Sequence, residues 1–187
     1  TVDVNNGDAL TRSNLLSGVF MGQEFTLDPS TVFNINDDGV VESVAISSTS
    51  FDFGGATVNI NRGGFFDRNV VSNILINVNS LGSTAFFLKV FDSTVNVSEG
   101  FLGSFFEAHS SVVNVTGGRV GSNFEAFDGS TVNISGGSVG VKASNSTVNI
   151  SGGSVGSLKA ENRSTINISG GTLSGFESKS DSIVNIS

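Results

Sequence analysis

Cysteine, tryptophan and tyrosine are absent from this 187-residue chain, proline and histidine occur once each, and only nine residues are Lys or Arg. Without Cys there is no disulfide, no thiol nucleophile and no Cys-ligated zinc or iron site, although a cysteine-free chain fits any compartment. The nine basic residues are scattered singly under a net charge of −8, so there is no basic stripe for nucleic acid and no polybasic membrane anchor. No apolar run approaches the ~18–20 residues of a membrane span, so no membrane insertion is expected. Sixteen Phe without Tyr or Trp suggest rings used as core filler rather than amphipathic rings at a contact surface. The chain starts at Thr1 with no signal-peptide pattern, which reads as a mature or excised segment.

What the chain has instead is repetition. The phrase Ser130-Thr131-Val132-Asn133-Ile134-Ser135-Gly136-Gly137-Ser138-Val139-Gly140 returns unchanged at 146–156 and nearly unchanged from Ser164 to Leu173. An anchor Asn recurs at 34, 59, 77, 96, 114, 133, 149, 167 and 185, in steps of 25, 18, 19, 18, 19, 16, 18 and 18. Helix-pair repeats need roughly 33 residues, so each unit here has room only for short strands and turns.

Within a unit the side chains alternate. Val132 and Ile134 share one face, and Thr131, Asn133 and Ser135 the other. Gly-Gly follows at 117–118, 136–137, 152–153 and 170–171, where a sharp turn at positive φ is cheap for Gly. A second apolar position follows (Leu102, Val120, Val139, Val155, Leu173). Then comes a third stretch of large apolar, charged and small residues, such as Phe124-Glu125-Ala126 and Val141-Lys142-Ala143. Three apolar-facing stretches per turn, stacked phrase upon phrase, predict an all-β, single-stranded parallel β-helix, a triangular β-solenoid of about 9–10 coils of 16–19 residues. Right-handed coiling is expected, as in ~98% of parallel crossovers.

Residues 1–30 lack the phrase and read as an N-terminal cap or lead-in segment of a single domain whose repeats occupy 31–187. Its features are the strand-like Val2 to Val4, turn chemistry at Asn5-Asn6-Gly7-Asp8, an apolar cluster (Leu15, Leu16, Val19, Phe20, Met21, Phe25) and a turn at Asp28-Pro29-Ser30. The 25-residue step, with its Ser47-Ser48-Thr49-Ser50 run, predicts a loop or irregular coil. Phe dominates the coils before about residue 127, and Val, Leu and Ala dominate after it, so the interior should be wider in the first half.

At these residues the chain resembles secreted and cell-surface parallel β-helix proteins of bacteria. The coil phrase Val-Asn-Ile-Ser-Gly-Gly-Ser-Val-Gly is similar to the long repeat proteins of planctomycete-type marine bacteria. The resemblance covers roughly residues 30–187 and implies an extracellular or cell-surface location. It does not choose among lyases, hydrolases, adhesins, phage fibres and ice-binding proteins, all of which use this fold.

The candidate binding surface is the outward track of the phrase: Thr94, Asn96, Asn114, Thr131, Asn133, Ser135, Thr147, Asn149, Ser151, Thr165, Asn167 and Ser169. Stacked Asn amides hydrogen-bond along a ladder and enforce register. Alternatively the track orders water as an ice-binding face. Against this, Val32, Leu75, Val112 and Ile183 interrupt the Thr row. The Asn-x-Ser/Thr matches at Asn96, Asn114, Asn133, Asn149, Asn167 and Asn185 arise from one repeated phrase and read as coincidence. A charge ladder of Lys89, Glu107, Glu125, Lys142, Lys159 and Glu177 reads as a solvated face. Asp37-Asp38-Gly39 could ligate calcium but reads as a turn, and Asp92, Asp128 and Asp181 are too sparse for a metal site. His109 reads as a solvated loop residue, and Arg119 and Lys142 are lyase candidates by residue type alone.

No catalytic residue, metal ligand or cofactor is therefore assigned. The expected function is a non-enzymatic structural or adhesive segment, a stiff spacer or display surface. A carbohydrate-active module, either polysaccharide-binding or a lyase, and an ice-binding solenoid are the alternatives. A carbohydrate-active module predicts a shallow groove with ionic residues from adjacent coils. Expected partners are a polysaccharide or another copy of the chain. The strand ending at Ser187 has no Gly-Gly turn or cap after it, so either the natural protein continues or this end pairs with another chain.

Overall fold

The structure, a computed structural model, describes residues 1–4, 9–10, 19–20, 23–24, 28–36, 40–42, 51–62, 64–67, 69–79, 87–179 and 181–187. These residues are all β, with parallel strands stacked as a solenoid of about seven turns and no helix. Each Asn-bearing phrase forms one strand. Nine such strands, with Val2–Val4 and its Asp3 as a first rung, stack in one ten-stranded sheet that runs through Thr131–Ile134 to Ile183–Ile186. The solenoid therefore has fewer turns than the nine or ten coils expected from the Asn spacing, although this sheet counts ten strands. Pairing is parallel and in register, Asn133 aligning with Asn114 on one side and Asn149 on the other.

Alternation sets the inside and outside of each rung. In Thr131–Ile134, Val132 and Ile134 are buried while Thr131 and Asn133 are half-buried on the outer face. After the Gly-Gly corner the chain forms a short second strand, such as Arg119–Val120, and then a third, such as Phe124–Phe127. Two coils differ, because Ser138–Ser144 and Ser154–Glu161 each run through both stretches as one strand.

The two glycines of a corner are needed for different reasons. Gly137 has φ +72°, which L side chains rarely adopt. Its partner Gly136 lies so close to the Thr116 carbonyl of the preceding coil that a Cβ there would collide with backbone.

A second device closes the corner before each Asn strand. Ser93, Ser111, Ser130, Ser146 and Ser164 are buried at 6, 2, 1, 5 and 0% exposure. Ser130 Oγ donates to the Phe127 carbonyl at 2.6 Å and accepts the Ser111 N–H of the coil before at 3.1 Å. Ser93 and Ser111 repeat the arrangement. The residues just before Ser93, Ser111 and Ser146 are Asp92, Ser110 and Asn145, all at positive φ, as is Asp181 before Ser182 of the last coil. Asn and Asp tolerate that conformation better than most residues, so the carboxylates Asp92 and Asp181 are placed by backbone geometry.

The core is one column of buried apolar residues from Val2 to Ile166. Its largest fully buried side chains include five rings (Phe33, Phe53, Phe66, Phe106 and Phe124), all in the first part of the chain. In register with Phe124 the next coils place Val141 and Leu158. The change of filler therefore follows the sequence expectation. Phe is not only filler, however: Phe87 and Phe105 are 51% and 46% exposed, and Phe91 and Phe127 lie half-buried on the outer face.

At the N-terminal end, Val2–Val4 pairs with Val32–Ile35, and Ala9–Leu10 with Val40–Glu42, so parts of the segment 1–30 supply rungs to the same stacks. Val19–Phe20 and Gln23–Glu24 form an antiparallel pair. The turn at Asp28 is present. Asp28 Oδ1 accepts the Ser30 N–H at 2.8 Å and its hydroxyl at 2.6 Å, and these bonds hold the Asp28 carboxyl below its ordinary range. Asn5 to Asp8, Leu15, Leu16, Met21, Phe25, Asp37-Asp38-Gly39 and Ser47 to Ser50 lie outside the described residues.

Candidate functional site

The predicted binding track lies on the outer face of the ten-stranded sheet. Its Asn residues form a ladder in which each Nδ2 donates to the Oδ1 of the preceding rung. Asn114 donates to Asn96, Asn133 to Asn114, Asn149 to Asn133 and Asn167 to Asn149, all at 2.8–2.9 Å. The ladder continues from Asn96 through Asn77, Asn59 and Asn34 to Asp3 at one end, and is extended by Asn185 at the other. One donor and one acceptor of each amide are thereby spent within the fold. The six Asn-x-Ser/Thr matches at Asn96, Asn114, Asn133, Asn149, Asn167 and Asn185 fall on this ladder, whereas those at Asn145 and Asn162 lie off it.

The flanking positions are less uniform. Thr131, Thr147 and Thr165 are consecutive in register, but Val112 separates Thr94 from Thr131, and Leu75 precedes Thr94. At the next outward position Ser151 and Ser169 are exposed, their hydroxyls reaching the Ile134 and Ile150 carbonyls at 3.4 and 3.5 Å, and Ser135 is exposed as well. In the early coils this position carries Asn36, Asn61 and Asn79, which form a second, shorter amide stack through bonds of 2.7 and 3.2 Å. The Asn-x-Asn pairs at 34/36, 59/61 and 77/79 were its signal in the sequence. A shallow hollow of about 340 Å³ lies over Asn149, Ser151, Asn167, Ser169 and Asn185.

The charge ladder pairs where its signs alternate. Lys89 meets Glu107 at 2.7 Å, Lys142 meets Glu125 at 3.5 Å, and Lys159 meets Glu177 at 3.5 Å. Lys142 also reaches Glu161 at 3.6 Å. Lys179, 2.6 Å from Glu177, holds that carboxyl below its ordinary range and is itself raised.

His109 is not a solvated loop residue. It sits in the strand Glu107–His109, its ring stacked between Phe91 at 4.6 Å and Phe127 at 4.9 Å. Its Nδ1 lies 2.9 Å from Asp128, and its Nε2 lies 3.4 Å from Glu107. The parallel register that aligns Phe91, His109 and Phe127 explains the difference, because a ring between two rings is removed from water on both faces.

A groove of about 620 Å³ crosses the coil containing Gly140. It arises from coil length. Three residues (Gly121, Ser122, Asn123) separate Val120 from Phe124, two (Gly156, Ser157) separate Val155 from Leu158, but Gly140 alone separates Val139 from Val141. Val139 and Val141 stay in register with Val155 and Leu158 across this irregularity, so the shortened coil is drawn inward. Arg119, Glu125, Lys142, Lys159 and Glu161 line the groove. Residue type alone marks Arg119 and Lys142 in the sequence, and nothing there brings them together. The 16-residue step between Asn133 and Asn149 was the available signal.

Among the described residues no group of three His, Asp or Glu side chains is placed to hold a metal ion. No helix there is long and apolar enough to cross a membrane. No protein-family model, no curated protein and no solved structure matches the chain.

Proposed function

We propose that this chain is a non-enzymatic structural or adhesive segment of an extracellular or cell-surface protein, acting as a stiff spacer that displays its outer faces. One observation carries this reading: the amide ladder runs unbroken from Asp3 to Asn185. Every rung of the ten-stranded sheet is thus tied to its neighbours by side chains as well as by backbone. Ten rungs at ~4.8 Å spacing make a rod of about 43 Å. The likeness of the coil phrase to repeats of marine bacterial surface proteins supports the location. Small-angle scattering tests the rod: one narrow distribution of maximum dimension, unchanged by salt, is expected. A broad or salt-dependent distribution overturns the assignment.

A second reading, a carbohydrate-binding module, is favoured by the groove at Gly140, where ionic side chains of adjacent coils converge. An ice-binding face has the least support, since Leu75 and Val112 break the outward Thr row.

A further inference from the structure

We propose that the corner running from Phe87 past Asn123 into the Gly140 groove binds a linear acidic oligosaccharide, one bearing carboxylate or sulfate groups, laid along the solenoid axis. This deepens the carbohydrate-binding reading and rests on it. Three independent observations meet on that corner.

The first is shape. The groove's volume of about 620 Å³ falls within the ~300–1,000 Å³ of typical ligand sites. It opens along the stack of coils, which suits an extended chain better than a compact ligand.

The second is charge. Arg119, Lys142 and Lys159 are three of the nine basic residues of a chain with net charge −8, and all three line this groove. Arg119 is exposed and pairs with no carboxylate among the described residues. Its guanidinium is steadied instead over the Phe101 ring, 5.8 Å from the centroid. A planar, unpaired, pre-positioned guanidinium is suited to bidentate bonds with a carboxylate or sulfate. The two lysines hold their glutamates at 3.5–3.6 Å, against 2.7 Å for Lys89–Glu107 outside the groove. Such loose, part-exposed pairs contribute little, so the lysines can turn to a ligand anion at small cost.

The third is the exposed aromatic pair. Phe87 and Phe105 stack at 4.9 Å with parallel rings, and both backbones have positive φ, 50° and 62°. A bulky residue in that region is a genuine outlier, and strain of this kind gathers at ligand sites. The core does not need these rings, because Leu88 and Phe106, the very next residues, fill it. The Phe87 N–H bonds the Ser104 carbonyl and the Phe105 N–H bonds the Ser122 carbonyl, so each corner steps to the next coil. Asn123, with φ 60° like the two Phe, is the next residue of this track and lines the groove. Apolar surface, amide, hydroxyls and cations therefore follow one another along a line.

That sequence of groups suits a sugar chain, whose C–H patches, hydroxyls and acidic groups alternate at short spacing. A nucleic acid would demand many phosphate contacts from Lys and Arg, and the surface supplies few.

The test is isothermal titration of the intact chain with three probes: hexagalacturonate, a sulfated galactan hexasaccharide and a neutral galactan hexasaccharide. Saturable binding of at least one acidic probe, weakened roughly tenfold or more by Arg119→Ala and also weakened by Phe105→Ser, is expected. Which acidic probe binds identifies the anionic group. If no probe binds at millimolar concentration, the carbohydrate-binding reading falls with the proposal. If the neutral probe binds as well as the acidic ones, or Arg119→Ala changes nothing, the reading stands and this assignment of the groove is wrong. Both substituted residues are exposed, and unchanged circular dichroism confirms that the variants fold.

Discussion

Asn34 Nδ2 donates to Asp3 Oδ1 at 2.8 Å, so the amide ladder ends on a carboxylate. Every ladder bond runs the same way, from an amide N–H toward the preceding rung, and the first rung only has to accept. A carboxylate does that as well as an amide. In the middle of the ladder it does not, because a central rung must both give and accept. Asn133→Asp keeps the acceptor for Asn149 but sets a carboxylate against the Asn114 oxygen, 2.9 Å from the replaced nitrogen. When protonated, the new carboxyl gains a donor, so its pKa is raised in the folded state. The folded form then binds more protons than the unfolded form, and stability relative to the parent falls as pH rises through the carboxylate range. Urea denaturation at pH 4 and pH 7 should show the larger deficit at pH 7, and Asp3→Asn should be close to neutral at both. A pH-independent deficit at Asn133 would remove the polarity argument.

Ser130→Ala is expected to cost ~1–3 kcal/mol, because it strands the buried N–H of Ser111, whereas the Phe127 carbonyl keeps the Ser130 and Ser110 N–H groups. Ser135→Ala, on the exposed face of the same coil, should stay within about 0.5 kcal/mol. Equal midpoints for the two variants in chemical denaturation would show that the buried hydroxyl column adds nothing beyond the backbone ladder.

Glycine substitutions should separate architecture from slack. A Cβ at Gly137 would lie 2.6 Å from the Gly117 carbonyl oxygen, on a residue with φ +72°. At Gly156 it would meet nothing within 4 Å. Gly137→Ala should therefore lower the thermal midpoint by many degrees, while Gly156→Ala is neutral or stabilises by up to about 1 kcal/mol through lost unfolded-state entropy. A midpoint for Gly137→Ala within a degree or two of the parent would contradict the close coil contact.

Much of this architecture could be read from the sequence because a strand's period is two and the phrase repeats it verbatim. Val132 inside, Asn133 outside and Gly136-Gly137 at the corner follow from alternation and turn chemistry alone. The amide ladder followed from the same stacking. What escaped depended on relations between coils. Ser130 opens the phrase like any surface serine, and only the neighbouring coil's N–H, 3.1 Å away, makes it a buried bridge. His109 looked solvated because its two ring neighbours lie 18 residues away on either side. The groove was hidden in a length difference of two residues between Val120–Phe124 and Val139–Val141, which composition does not register.

That length difference also sets how much the core can hold. Phe124 stacks on Phe106 at 4.9 Å and aligns with Val141 in the next coil. Phe124→Ala removes a fully buried ring from a coil whose wall cannot collapse without breaking its ladder, and should cost ~3–5 kcal/mol. Continuing the ring column with Val141→Phe should also destabilise, by ~1–3 kcal/mol, because the single-residue link at Gly140 has drawn that wall inward. If the wall is slack instead, Val141→Phe extends the Phe106–Phe124 stack and raises the denaturation midpoint. The sign of the shift in urea midpoint for Val141→Phe therefore decides whether the shortened coil is tightly packed or merely short.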